Sequence, residues 1–215
     1  MESRKKHPVE SVVLMIFAGL GALAAGCAAD TTTTVNATDS RYSCRGHIRE
    51  KFENVEKIEI HSVSGECQVS VSDSPAVAVH VEYNVRPAGA MEPRMSLDES
   101  SRTLVLNEQW RKGGGTGRVL WTLTVPASTA VDFSSSSGGL QVKGLKAAVG
   151  VDTSSGKVVV ENIKSDVTIR TASGSVTVAD VSGDVNVHSA SGNITYRGCT
   201  GDLEVITASG VINKG

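Results

Sequence analysis

From residue 131 onward, apolar and polar positions alternate in blocks of fixed length. A Ser-Gly pair recurs at Ser137-Gly138, Ser155-Gly156, Ser173-Gly174, Ser191-Gly192 and Ser209-Gly210, each glycine 18 residues after the last. Seven and five positions before these glycines stand Val131 and Phe133, Val149 and Val151, Val167 and Ile169, Val185 and Val187, and Leu203 and Val205. Three before them the residue is always a hydroxyl: Ser135, Thr153, Thr171, Ser189 and Thr207. Two after them come Leu140, Val158, Val176, Ile194 and Ile212. Four after come Val142, Val160, Val178 and Tyr196, then Lys214, and seven after come Leu145, Ile163, Val181 and Cys199.

Alternation with period two on both sides of a fixed corner predicts two short strands per 18-residue unit, each with one buried face. No stretch here has the three-four spacing of an amphipathic helix. Strands this short must stack on the neighbouring units, so the pattern predicts an all-β chain: a single-stranded parallel β-solenoid over 131–215, rising about 4.8 Å per coil. Gly138, Gly156, Gly174, Gly192 and Gly210 are then structural corner residues. Such a corner demands either positive φ or a backbone too crowded for Cβ. The opposite corner carries turn chemistry in Ser182-Gly183-Asp184 and Thr200-Gly201-Asp202.

Upstream, Ile58, Ile60, Ser62, Ser64-Gly65, Cys67 and Val69 repeat the column pattern and predict a first coil. Further alternating strands follow at Val77–Tyr83, around Leu104–Leu106, and at Val119–Val125, where Pro126 fits a strand end. Residues 55–130 therefore read as irregular β layers capping the N-terminal end of the solenoid.

Residues 1–26 read differently. A basic head at Arg4, Lys5 and Lys6 precedes an apolar run from Val12 to Ala25, short for a membrane span. The run ends in Leu23-Ala24-Ala25-Gly26-Cys27, which resembles the lipobox of bacterial lipoproteins, although Ala24 occupies the position where that motif prefers leucine. The resemblance implies a lipoprotein signal peptide over 1–26, acyl chains on Cys27, and attachment to the cell-envelope membrane. An ordinary secretory signal is the alternative. Ala28 after the cysteine, in place of an inner-membrane retention aspartate, favours the outer membrane in a two-membrane cell. Residues 27–54 then read as a lipidated cysteine and a flexible tether.

The Leu123-Thr124-Val125-Pro126 strand end, the recurring Val-x-x-x-Ala-Ser-Gly-x-Val-x-Val and the Gly-Asp corners together resemble the bacterial "putative adhesin" β-strand-repeat domains, over roughly 55–215. The resemblance implies a parallel β-solenoid on an envelope protein.

Candidate chemistry is sparse. Cys67 and Cys199 fall in inward columns, where a free thiol is a small hydrophobe. Cys44 and Cys67 form a candidate disulfide in an oxidising compartment, with unpaired core thiols as the alternative. Asp166, Asp184 and Asp202 make a corner column of the kind Ca²⁺ favours, yet aspartate in a turn usually bonds its own backbone, and no metal or cofactor is expected. His188 shares an outward column with Asp152, Arg170 and Ile206 without a nucleophile or a carboxylate pair beside it. A net charge of −2 gives no reason to expect nucleic acid.

The chain is thus expected to be a non-enzymatic, membrane-anchored lipoprotein that binds a protein or glycan partner through its solenoid face. The alternatives are a periplasmic structural or stress-sensing accessory and, less favoured, a β-helix carbohydrate-active enzyme. Self-association at the C-terminal coil is a further expectation.

Overall fold

The computed structural model describes residues 30–36 and 43–215. The signal peptide and Cys27 lie outside the described residues. The chain is all-β, with eighteen strands among the described residues arranged in two sheets.

Five regular coils form the C-terminal part. They are β9 (Ala130–Ser135) with β10 (Leu140–Lys143), β11 (Val149–Thr153) with β12 (Val158–Ile163), and β13 (Val167–Thr171) with β14 (Val176–Val181). Then come β15 (Val185–Ser189) with β16 (Ile194–Arg197), and β17 (Leu203–Thr207) with β18 (Ile212–Lys214). Each strand pairs in parallel with its copy 18 residues on, so Val149 stands beside Val167 and Val158 beside Val176. The first strands of the coils build one sheet and the second strands the other. Their inward columns meet as a valine-rich core, nearly free of solvent from Val131 to Ile194. In the last coil Leu203 and Ile212 are exposed.

The inward positions four and seven after the corner glycine differ by three, which an unbroken strand cannot place on one face. A left-handed residue at position six reverses the parity. It is Gly144, Asn162, Asp180 and Gly198 in successive coils, with φ of 89°, 54°, 57° and 64°. Glycine enters this region freely, and asparagine and aspartate are the side chains that best tolerate it.

The N-terminal coils stack out of chain order. β3 (Lys57–Ser62) and β4 (Glu66–Val71) make a coil in full register with β9 and β10, pairing Ile58 with Val131, Ile60 with Phe133 and Cys67 with Leu140. On their other side lie β7 (Thr103–Trp110) and β8 (Thr116–Val125), which pair Leu104 with Ile58 and Trp121 with Cys67. The coil formed first along the chain is thus second in space. Between the two, β5 (Val77–Arg86) runs antiparallel to β8, and β6 (Met91–Asp98) antiparallel to β7.

The expected flexible tether over 27–54 is corrected for its residues 30–36 and 43–52. β1 (Asp30–Asn36) and β2 (Ser43–Phe52) are antiparallel strands that extend the sheet beyond β5. The inward positions of β2, among them Cys44, Ile48 and Phe52, join the core, which a solvated linker cannot do. The larger sheet has the order β1-β2-β5-β8-β4-β10-β12-β14-β16-β18, and the smaller β17-β15-β13-β11-β9-β3-β7-β6.

Candidate functional site

The corners are built from two hydrogen-bond systems. The hydroxyl three before each glycine accepts that glycine's own amide, at 2.7 Å for Gly138 and Ser135, 3.0 Å for Gly174 and Thr171, and 2.7 Å for Gly192 and Ser189. The two amides before the glycine reach the preceding coil, as when Ala172 N donates to Thr153 O and Ser173 N to Ser154 O. The glycines themselves stack. A Cβ on Gly174 would lie 2.1 Å from Gly156 O, and one on Gly156 1.8 Å from Gly138 O. None of these corner glycines has positive φ, so crowding is the reason for the residue.

The coil of β3 and β4 has no such corner before it, because β7 leads into the 111–115 loop. Glu108 fills the gap. Its carboxylate accepts from Val63 N at 2.9 Å, Ser64 N at 3.3 Å and Ser62 Oγ at 2.8 Å. The indoles of Trp121 and Trp110 donate to it at 3.2 and 3.4 Å. Glu108 is buried, and these five donors replace the water that a buried carboxylate loses. It is a structural group that sequence reasoning missed. The signal was its parity: Glu108 falls on the inward face with Leu104 and Leu106.

The aspartate column is likewise a ladder. Asp166 Oδ1 accepts Asp184 N at 3.0 Å, and Asp184 Oδ1 accepts Asp202 N at 2.9 Å. Among the described residues no group of three or more His, Cys, Asp or Glu side chains could hold a metal ion.

The Cys44–Cys67 disulfide is not formed, and both thiols are free. β5 and β8 lie between the strands that carry them, a separation of three strand spacings or about 14 Å. Disulfides need Cα atoms within about 7 Å. Burial, reinforced by the Glu108 charge, pushes the Cys67 thiol far above its ordinary pKa, which keeps it neutral. Burial raises Cys44 and Cys199 as well.

What remains for recognition is the outside of the two sheets. On the smaller sheet, Lys57 Nζ bridges Glu59 and Asp132, each at 2.8 Å, and these hydrogen bonds, Asp132 first, raise its pKa. His188 sits beside Arg170 in register and 3.9 Å from Glu204. On the larger sheet, one row runs Arg49–His80–Thr122–Gln68–Gln141–Val159–Thr177–Thr195–Asn213. None of the nine is buried. Burial, then the Arg49 charge, holds the His80 imidazole below its ordinary pKa. Nine strands at one strand spacing give a straight line of about 38 Å.

Residues 116–213 match the family model described as Toastrack DUF4097, which bears out the resemblance read from the repeats. Among solved structures, a putative cell adhesion protein from Clostridium sporogenes superposes with a TM-score of 0.52 at 13% identity, over 78% of this chain and 97% of that one. At that identity it shows the fold. A putative adhesin from Bacteroides fragilis matches with a TM-score of 0.36 at 13% identity, over 78% and 95% of the two chains. One from Parabacteroides merdae matches at 0.30 and 12%, over 80% and 96%. These last two are geometrically too distant to add to the argument. No curated protein matches the chain.

Proposed function

We propose that this Toastrack-type solenoid is the binding part of a cell-envelope lipoprotein. Cys27 carries the acyl chains, and the solenoid presents the outer face of its larger sheet to an adhesion partner without catalysing a reaction. The observation that carries this reading is the nine-residue row from Arg49 to Asn213. From Thr122 to Asn213 it offers hydroxyl and amide groups, interrupted only at Val159. A rigid line of groups that both donate and accept suits an extended ligand, since its groups are positioned before binding and little ordering entropy is lost.

The anchor is supported by the lipobox-like Leu23–Cys27 and by the chain path, because β1 begins three residues after Cys27. With acyl chains on Cys27, one edge of the larger sheet would lie beside the membrane and the stack could project away from it. Several acyl chains on one cysteine anchor stably where a single chain does not. Self-association at the last coil belongs to the same reading: Leu203, Ile206, Val211 and Ile212 are exposed there, and β17 and β18 are outermost in their sheets.

Protease treatment of intact cells, with lysed cells as control, tests the reading. Cleavage of the solenoid on intact cells is the expected result. Protection until lysis sinks surface adhesion and favours the periplasmic accessory role. In the same cells Cys27→Ser releases the chain from the membrane fraction; retention of that variant rejects the lipid anchor.

A further inference from the structure

Although the chain carries a net charge of −2, from Arg45 to Lys51 β2 turns only basic and imidazole side chains outward. Arg45, His47, Arg49 and Lys51 occupy its alternate outward positions, while Cys44, Ile48 and Phe52 on the other face pack on the core. Alternate residues on a strand are about 6.7 Å apart, so this stripe is about 20 Å long. Register widens it into a patch. Arg45 continues across the sheet through Asn84 to Arg118, His47 through Glu82 to Leu120, and Arg49 through His80 to Thr122.

Between these rows lies an open cleft of about 590 Å³, lined by Arg45, His47, Glu82, Asn84, Arg118 and Leu120. Its acids do not cancel its cations. Glu82 stands 3.5 Å from His80, and Glu66 pairs with Arg118 at 3.3 Å between two exposed side chains. Such exposed pairs are worth little and give way readily to a competing anion. Arg45 and Arg118 line the cleft itself, and Arg49 lies further along β2.

We infer that this patch binds an acidic polysaccharide. Carboxylate or sulfate groups along the polymer lie on Arg45, Arg118 and Arg49, where guanidinium forks meet such oxyanions through paired hydrogen bonds. Sugar hydroxyls meet Asn84 and Glu82, and Leu120 offers an apolar contact within the cleft. A recess with mixed donors, acceptors and an apolar wall accommodates a sugar residue, whereas a planar anionic bilayer would meet a flat, uniformly cationic face. The charged stripe is continuous with the neutral polar row through Arg49 and His80, so one extended glycan can occupy both. This inference rests on the proposed binding role of the larger sheet and names the chemistry of its partner.

The test uses the full chain purified in detergent, with immobilised heparin, polygalacturonate and neutral dextran as probes. Retention on heparin or polygalacturonate but not on dextran, weakening as salt rises, is expected. The double variant Arg45→Glu, Arg118→Glu should bind about tenfold or more weakly. Thr168→Val, on the outer face of the smaller sheet and away from both the patch and the polar row, should bind as the wild type does. All these positions face outward, and an unchanged circular dichroism spectrum confirms that the variants fold. Equal retention of wild type and double variant overturns the proposal, as does no retention on either acidic glycan. Selective capture by phosphatidylglycerol vesicles over phosphatidylcholine vesicles, lost in the double variant and with no glycan retention, reassigns the patch to the membrane surface. Surface cleavage on intact cells together with failed glycan retention discards this site and leaves the adhesion reading standing.

Discussion

Gly174 shows how one atom decides this architecture. Its backbone stacks on that of Gly156, and an added Cβ would fall 2.1 Å from Gly156 O and 2.9 Å from Thr171 Oγ1. Neither neighbour can retreat, because the first is backbone in the coil below and the second accepts the Gly174 amide. Gly174→Val should therefore cost at least about 2 kcal/mol through forced separation of two coils. Thr177→Val, three residues on and facing outward beside Val159 and Thr195, should stay within about 0.5 kcal/mol of the wild type. Urea unfolding midpoints compare the two, and equal effects would reject the assignment of faces. These columns were legible in the sequence because stacking like on like at a fixed interval imposes the same residue type on every coil. The left-handed column of Gly144, Asn162, Asp180 and Gly198 carried the same 18-residue signal. It becomes readable once the shift in inward parity after position four is taken as a bend.

At the scale of elements, each coil is half of its neighbour's hydrogen-bond inventory. The corner amides of every coil from β9 onward find acceptors on the coil before it. At β3 and β4 that supply ends, and Glu108 on β7 supplies the acceptors instead. Glu108→Ala would strand the buried Trp121 indole, at about 1–3 kcal/mol, and remove the part-buried bonds to the Val63 and Ser64 amides, at about 1 kcal/mol each. The expected loss is about 3 kcal/mol or more. Glu108→Gln should fall between, since its amide group turns two donors toward a site already filled with donors. Trp110 and Trp121 both contact the carboxylate, so tryptophan fluorescence during urea unfolding reports on this site directly. A Glu108→Ala variant within about 1 kcal/mol of wild type would show that the cap is dispensable.

Sequence reading could not find the order in which these elements stack. Ile58 and Ile60 show the same inward alternation whether their neighbours are Leu104 and Leu106 or Val131 and Phe133, and they have both. A hydrophobic pattern fixes which face is buried and leaves open which strand lies alongside. The strands β1 and β2 were missed for a local reason. Gly46 and Glu50 interrupt the inward series of Cys44, Ile48 and Phe52, and the Thr-rich Asp30–Asn36 resembles a polar linker although threonine favours strands. The basic patch depends on that missed pairing, since only the docking of β2 on β5, itself paired with β8, brings Arg45 and Arg118 onto one face.

Across the whole molecule, burial is uneven along the stack, and stability should follow it. A solenoid is held by its own coils and by the interfaces between neighbours, so a coil with one neighbour opens more easily than a coil with two. β3 lies between β7 and β9, and Ile58 and Ile60 are fully enclosed. β17 and β18 each have one neighbour, and the inward Leu203 and Ile212 remain about 40% exposed. Amide hydrogen exchange should accordingly be fastest in β17 and β18 and fall coil by coil toward β9 and β3. The out-of-order β7 and β8 should be as protected as β3, because the coil they cover also locks them between β5, β6 and the rest of the stack. Uniform protection from β3 to β18 would mean that the stack opens only as a unit, and nearest-neighbour reasoning would then fail for this chain. A gradient at low concentration that flattens in β17 and β18 as concentration rises would separate coil fraying from association at the same end.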